Sequence, residues 1–467
     1  MKKHSIISGI SILAVCVLML SCEDFVEVEV PDYKLTKEAV YANDQTAQSV
    51  LNGIYNQLFN TSFANGGSQS VTFLGGLSAD NFKVTTTTQQ IVEYYQNQIT
   101  PTNSYNLTLW AGAYNTIYMV NAMLEGIANN SLLSRDLINR MEGNGKFIRA
   151  FTYFYLVNLY GDVPLLLGTN YQNNAAASRT SAEIVYNQIL EDLEDAETLL
   201  EEDYPDNDRT RPNKFAVLSL LARVHLFLGN WEEAAFYSSQ VIAATEYYAL
   251  LNPDEVFLAN SGEAIWQISP VGWGNSFTHT REGNLFIKNP TSNTPVVLSS
   301  GFLNSFDNAE DKRRLNWVNN FVDEEDTLYY PYKYKIQYDA SGGLISEYSM
   351  VLRLAEQYLI RAEARTRLGK FAEAVEDINV IRSRAGIPLI EGSQSTEESE
   401  LLEILLQERR RELFAEWGHR WFDLQRFDKS EILANKDNSN WAQTSGLFPI
   451  PSTERMKDPN LTQNQGY

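Results

Sequence analysis

The chain has 467 residues, 44% of them hydrophobic and 12% aromatic, with a formal net charge of −22. That apolar share supports a large core and excludes a disordered chain. The charge argues against nucleic acid or an anionic lipid surface as ligand, because a polyanion is held by a cationic surface that displaces its counterions. A neutral partner fits better.

Lys2 and Lys3 precede the apolar run IISGISILAVCVLML, which ends at Leu20-Ser21-Cys22. A short basic segment, an apolar stretch and a small residue together make a secretory signal. The run is short for a bilayer span, and Glu23 and Asp24 after it are the wrong flank for a stop-transfer helix. Cleavage before Cys22 is therefore expected, with segment 1–21 removed and 22–45 left as a tether. The small residue before the cysteine resembles a bacterial lipobox, with Met19 standing where that pattern usually has an aliphatic residue. The resemblance implies acylation of Cys22. Several acyl chains anchor far better than one, since each buried CH₂ adds about 0.8 kcal/mol. The only other cysteine, Cys16, lies in the removed segment, so an internal disulfide and a zinc thiolate site are excluded.

From Thr46 onward the apolar spacing is mainly helical and reads as one domain over 46–467. TAQSVLNGIYNQLF follows the helical period. So does LWAGAYNTIYMVNAMLEGIA, which places Trp110, Tyr114, Ile117, Met119 or Val120, and Leu124 near one face. GKFIRAFTYFYLVNLYGDVPLLL predicts a long aromatic-rich helix stopped by Gly161-Asp162 with Pro164 beyond. SAEIVYNQILEDLEDAETLL opens with Ser181 as its N-cap and carries its acids outward.

A repeat recurs at an offset of 140 residues: Ala222 matches Ala362, Leu228-Gly229 matches Leu368-Gly369, Trp231 matches Phe371, and Ala234 matches Ala374. Small residues let two antiparallel helices approach, glycine ends the first, and the aromatic fills the crossing, which is the pattern of tetratricopeptide-like helix pairs. Such units stack into a scaffold. The scaffold is interrupted near 60–106 and 250–348 by long stretches rich in Asn, Ser, Thr, Gly and aromatics, with EAIWQIS and TLYYPYKYKIQYD as short strands. The expected fold is mainly α, helix pairs forming a frame whose irregular loops and few strands carry the binding face.

Within those loops, PVGWGNSFTHTREGN sets Trp273 between glycines, where neighbours cannot easily bury its indole, with Asn275, Phe277, His279 and Arg281 close behind. Flat aromatic faces beside amides and guanidinium groups suit the C–H surfaces and hydroxyls of a sugar. SADNFKV supplies Asp80, Asn81 and Phe82, with Tyr95 further along the same insertion. Trp110, Trp266 and Trp317 lie in periodic segments and read as core. In LLEILLQERRRELFAEWGHRWFDL, the acids and bases read as intrahelical ion pairs beside an apolar stripe of Leu402, Leu406, Leu413, Trp417, Trp421 and Leu424, rather than a catalytic set of Glu408, Glu412 and His419. The chain lacks His-Glu-x-x-His, Gly-x-Ser-x-Gly and a phosphate-cradling glycine loop. No EF-hand spacing accompanies the acidic turn EEDYPDND, so structural Ca²⁺ is not indicated by a motif, and no cofactor is expected.

CEDFVEVEV, LNGIYNQL, RAFTYFYLVNLYGDVPLL, LRLAEQYLIRAEARTRLGKFAEAVEDINVIRSRAG, ERRRELFAEWGHRWFDLQRF and LFPIPSTERMKDPNLTQNQGY run through the whole chain in order. Together they resemble the SusD/RagB family of outer-membrane nutrient-binding lipoproteins. The resemblance implies a lipid-anchored, cell-surface protein without enzymatic activity. Such a protein captures oligosaccharide or polysaccharide and acts as the lid of a SusC-like TonB-dependent transporter, with peptide cargo as the alternative. It also implies that the acids after Cys22 mark surface export, and that ligand is met by the loop around Trp273 and by the loop after the acid near residue 80.

Overall fold

The computed structural model describes residues 36–270, 277–323, 326–391 and 397–467. Cys22, Trp273 and Asn275 lie outside the described residues. Helix α1 (Asp44–Asn60) begins where the Asn43 side chain accepts the Thr46 N–H at 3.1 Å, and it buries Ala47, Leu51, Ile54, Leu58 and Phe59 along one face. Helix α2 (Val71–Ser78) is short and buried on nearly every side. In α3 (Ser104–Ile127), Trp110, Ile117 and Val120 are buried, while Tyr114, Met119 and Leu124 are half-buried against the same core.

Helix α4 (Arg135–Tyr160) is the axis of the molecule. From Phe147 to its end every residue except Asn158 is buried, so it has no solvent face there. Phe151 meets Phe63, Tyr155, Trp266 and Trp417 edge to face, with ring centroids 4.9–6.1 Å apart, the arrangement that the ring quadrupole favours. Gly161 ends the helix at φ 70°, as its sequence suggests. Helix α5 (Ala182–Leu199) does start after Ser181, but that side chain makes no capping bond. Asp162, just past the stop, accepts the Ala182 N–H at 2.9 Å instead, so one turn closes α4 and opens α5.

The repeats form helix pairs: α6 (Lys214–Leu228) with α7 (Trp231–Ala243), and α8 (Leu354–Arg367) with α9 (Phe371–Ala385). Gly229 and Gly369 both turn the chain at positive φ, 75° and 73°. The copies are adjacent in space, because Ala222, Leu226 and Ala234 of the first pack with Ile360 and Ala364 of the second. The expected acid-rich helix is broken in two, α10 (Glu398–Leu413) and α11 (His419–Arg426). Between them Ala415, Trp417 and Gly418 all take positive φ, and Gly418 comes so near α2 that a Cβ on Gly75 would stand 3.0 Å from its Cα.

Ion pairing in α10 differs in part from expectation: Arg411 and Glu408 pair along the helix at 3.5 Å, but its acids mainly reach across the fold. Arg353 pairs with Glu263 at 3.0 Å and Glu416 at 2.8 Å, and also with Glu412. Arg313 pairs with Asp311 at 2.7 Å and with Glu408, and Arg384 and Lys333 complete the cluster through Glu412 and Glu416. These groups are buried, and charges removed from water persist only when so paired. The stripe is displaced accordingly: Leu401, Leu405 and Leu406 are buried and Leu402 is not.

Among the described residues, six short strands form three antiparallel pairs. These are β1 (Phe82–Val84), β2 (Ala264–Ile268), β3 (Val296–Leu298), β4 (Val318–Asp323), β5 (Asp326–Pro331) and β6 (Ser349–Arg353). β1 pairs with β3, Phe82 opposite Leu298, and so joins the two insertions; β2 pairs with β6, and β4 with β5. The strand expected through TLYYPYKYKIQYD stops at Pro331. Beyond it the Lys333 ammonium turns inward to donate to the Glu412 carbonyl at 2.8 Å, and Lys335 donates to the Asn316 carbonyl at 2.5 Å.

Candidate functional site

Two segments distant in sequence, 278–284 and 336–341, are strapped together. Thr278 N–H donates to the Asp339 carbonyl at 3.2 Å, and His279 Nδ1 lies 3.0 Å from the Asp339 N and 3.1 Å from its carbonyl oxygen. Asn284 Nδ2 donates to the Gln337 carbonyl at 3.0 Å. Gly283 makes the approach possible, since a Cβ there would stand 2.3 Å from the Ile336 carbonyl oxygen. The Asp339 carboxylate accepts from the Thr278 hydroxyl and from the Ser341 N–H at 2.9 Å. These bonds, Thr278's first, hold it below the usual carboxylate range.

The strap gathers three rings. His279 and Tyr338 lie 5.3 Å apart at 41°, and Phe277 stands 5.8 Å from each, roughly edge-on. His279 is buried, Phe277 is half-buried and Tyr338 is 60% exposed. A buried histidine thus supports a partly open aromatic platform whose acidic rim is Asp339.

Arg281 follows at the start of a short helix, Arg281–Phe286, capped by the Thr280 hydroxyl accepting the Gly283 N–H at 3.1 Å. Its guanidinium lies 5.2 Å from the Phe59 ring centroid, linking the segment to α1. Glu282 beside it is buried under Gly66, accepts the Ser349 hydroxyl, and is pushed by burial up to about 7.

The other group of sequence candidates is placed differently. Asp80 bridges Arg410 at 3.0 Å and Arg420 at 2.8 Å, and Asn81 Oδ1 accepts from Arg410 Nε at 2.8 Å. Phe82 packs 5.5 Å from Phe286, and Tyr95 lies under Lys436, whose ammonium caps α2 by donating to the Ser78 and Ala79 carbonyls, each at 3.0 Å. Asn81, Phe82 and Tyr95 are only 3%, 2% and 8% exposed, so these side chains tie elements together and present no face to a ligand. The ligand contact expected of them is corrected on that ground. Trp110, Trp266 and Trp317 are core, as expected. Sequence reasoning missed Tyr338 and Asp339 because a continuous strand was expected there. The turn-forming DASGG that follows Tyr338 was the available signal.

The comparisons agree with this architecture. The family model described as "SusD family" matches residues 313–467, and that described as "Starch-binding associating with outer membrane" matches residues 24–226. A SusD-like protein of Formosa agariphila is 25% identical over the whole of both chains. The starch-binding protein SusD of Bacteroides thetaiotaomicron is 25% identical over 70% of this chain and 73% of that one. The structure of a laminarin-binding SusD-like protein superposes with a TM-score of 0.77 at 22% identity, covering 91% of this chain and all of that one. The chain belongs to the SusD family.

Proposed function

We propose that the chain is a non-catalytic glycan-binding lipoprotein of the outer membrane, anchored through Cys22 and exposed at the cell surface. It takes up oligosaccharide or polysaccharide and passes it to a SusC-like TonB-dependent transporter. The observation that carries the reading is the platform of Phe277, His279 and Tyr338, rigidly strapped yet open at Tyr338. An aromatic face with a carboxylate at its rim matches the alternating apolar and hydroxyl surfaces of a sugar ring. Relatives named as starch-binding and laminarin-binding support the cargo class, and the net charge of −22 favours a neutral glycan. Trp273 and Asn275, which shortly precede Phe277 in the sequence, are proposed as further ligand contacts. The peptide alternative draws no support from the relatives' names.

The test is native affinity electrophoresis of the chain from Glu23 onward in gels containing laminarin, amylopectin or an acidic polysaccharide. Retardation in a neutral glycan, weakened in Tyr338→Ala, is expected. Equal mobility in every gel would overturn the proposal.

A further inference from the structure

Three tyrosines are more than half exposed among the described residues: Tyr118 at 53%, Tyr171 at 75% and Tyr338 at 60%. Tyr338 belongs to the platform. The other two line one cavity of about 340 Å³ between α3 and the segment after Pro164, together with Ile117, Leu166 and Asn174. A second cavity of about 390 Å³ shares Tyr114, Leu166, Asn174 and Ala175 with it and continues to the C-terminal Glu454, Lys457 and Asp458. The two make one groove, each half within the size range of small-ligand sites, roughly 300–1,000 Å³.

The groove is built rather than incidental. Its floor is apolar because its polar groups are used inward: Tyr114 Oη donates to the Pro164 carbonyl at 2.9 Å, and Asn121 Nδ2 donates to the Leu166 carbonyl at 2.9 Å. Tyr114 also rests on Trp110, with centroids 4.8 Å apart. The loop bearing Tyr171 is held at two points. Glu125 accepts the Thr169 N–H at 2.8 Å, and the Asn170 side chain accepts the N–H groups of Gln172 and Asn173 at 3.0 and 3.1 Å. By contrast, neither the Tyr118 nor the Tyr171 hydroxyl bonds any protein group among the described residues, and neither ring stacks on another. Two partly exposed rings thus stand at the lips of an apolar trough, with no ring of the described residues stacked upon them.

The occupant can be assigned by chemistry. At the far end Lys457 is paired with Glu454 at 2.7 Å, leaving Asp458 and the overall acidity to repel anions. Ring faces at a polar rim over an apolar floor suit a neutral saccharide. We propose that the trough between Tyr118 and Tyr171 is a second saccharide-binding site, separate from the Tyr338 platform, so that one polysaccharide chain can be held at two points with the gain of effective concentration. This rests on the glycan reading above.

The experiment compares the unmodified chain with Tyr338→Ala, with Tyr118→Ala/Tyr171→Ala and with the triple variant. Probes are laminarin and amylopectin in native gels and their hexasaccharides by calorimetry. Both groove tyrosines are exposed, so melting temperatures should be unchanged. The groove variant should lower the hexasaccharide stoichiometry from two to one and weaken polysaccharide binding roughly tenfold, about one aromatic contact's worth amplified by lost bivalency. Binding by the unmodified chain that is unaltered in the groove variant would overturn the second site and leave the glycan reading standing. No binding by the unmodified chain would overturn both.

Discussion

His279 and Tyr338 stand 5.3 Å apart, ring to ring, and the backbone N of Asp339, next to Tyr338, lies 3.0 Å from His279 Nδ1. The buried ring is therefore both the support of the exposed ring and the anchor of its backbone. Tyr338→Ala removes the exposed face and nothing from the core. Glycan affinity should fall about tenfold, on the scale of one aromatic contact of 1–1.5 kcal/mol, with the urea midpoint unchanged. Affinity gels run beside denaturation curves check this; a large drop in stability would show that Tyr338 is structural instead.

The platform also depends on a residue that touches no ring. Gly283 passes so close to Ile336 that a Cβ would stand 2.3 Å from a backbone oxygen, which cannot swing aside as a flexible side chain can. Gly283→Ala should push the two segments apart and weaken glycan binding as much as Tyr338→Ala. It should also lower stability by roughly 1–3 kcal/mol, the usual cost of overpacking. Full binding by the alanine variant would show that the strap tolerates displacement.

The charged core gives a prediction of stability. Arg353 is buried and pairs with Glu263 and Glu416 at 3.0 and 2.8 Å and with Glu412. Arg353→Met leaves those carboxylates short of one cation, a loss of about 3–5 kcal/mol for a broken buried pair. Urea unfolding should show it as a lower midpoint with an unchanged slope. A difference below about 1 kcal/mol would mean that Arg384 and Lys333 suffice.

Much of this was legible in the chain. Apolar spacing located the long helices, and the recurring Ala and Leu-Gly positions anticipated two pairs whose copies prove adjacent, because those residues specify close helix approach locally. What failed was non-local. A charge run such as ERRRELFAEW reads as intrahelical pairs, since spacing records only neighbours in sequence, yet most of its partners lie far away, at Arg313, Arg353 and Asp80. Asp80, Asn81 and Phe82 looked loop-like and polar, but Arg410, Arg420 and Phe286 reach them from far along the chain. Tyr338 was overlooked for the converse reason, as its exposure arises only where the strand ends early.

Glu282 makes stability depend on pH between about 4.5 and 7. Burial raises its carboxyl from 4.5 to about 7, with the Ser349 hydroxyl and Arg281 opposing the rise and Glu347 adding to it. Between these values the folded chain binds a proton that the unfolded chain has released, so this group's contribution falls as pH rises, by about 3 kcal/mol in all, while buried His225 and His419, held below 6.5 by burial, act the other way in the same window. The salt-bridged acids act the other way but lower down: Glu412, Glu416 and Asp423 are held below their usual range and lose their contribution only as pH falls through it. Glu347 is also raised by burial and leaves some of the same slope behind. Glu282→Gln keeps the shape without the titration. Urea unfolding measured from pH 4.5 to 8 should show the stability of the unmodified chain falling relative to that of the variant as pH rises, since the histidine contributions are common to both. Parallel curves would show that Glu282 is ionised in the fold throughout.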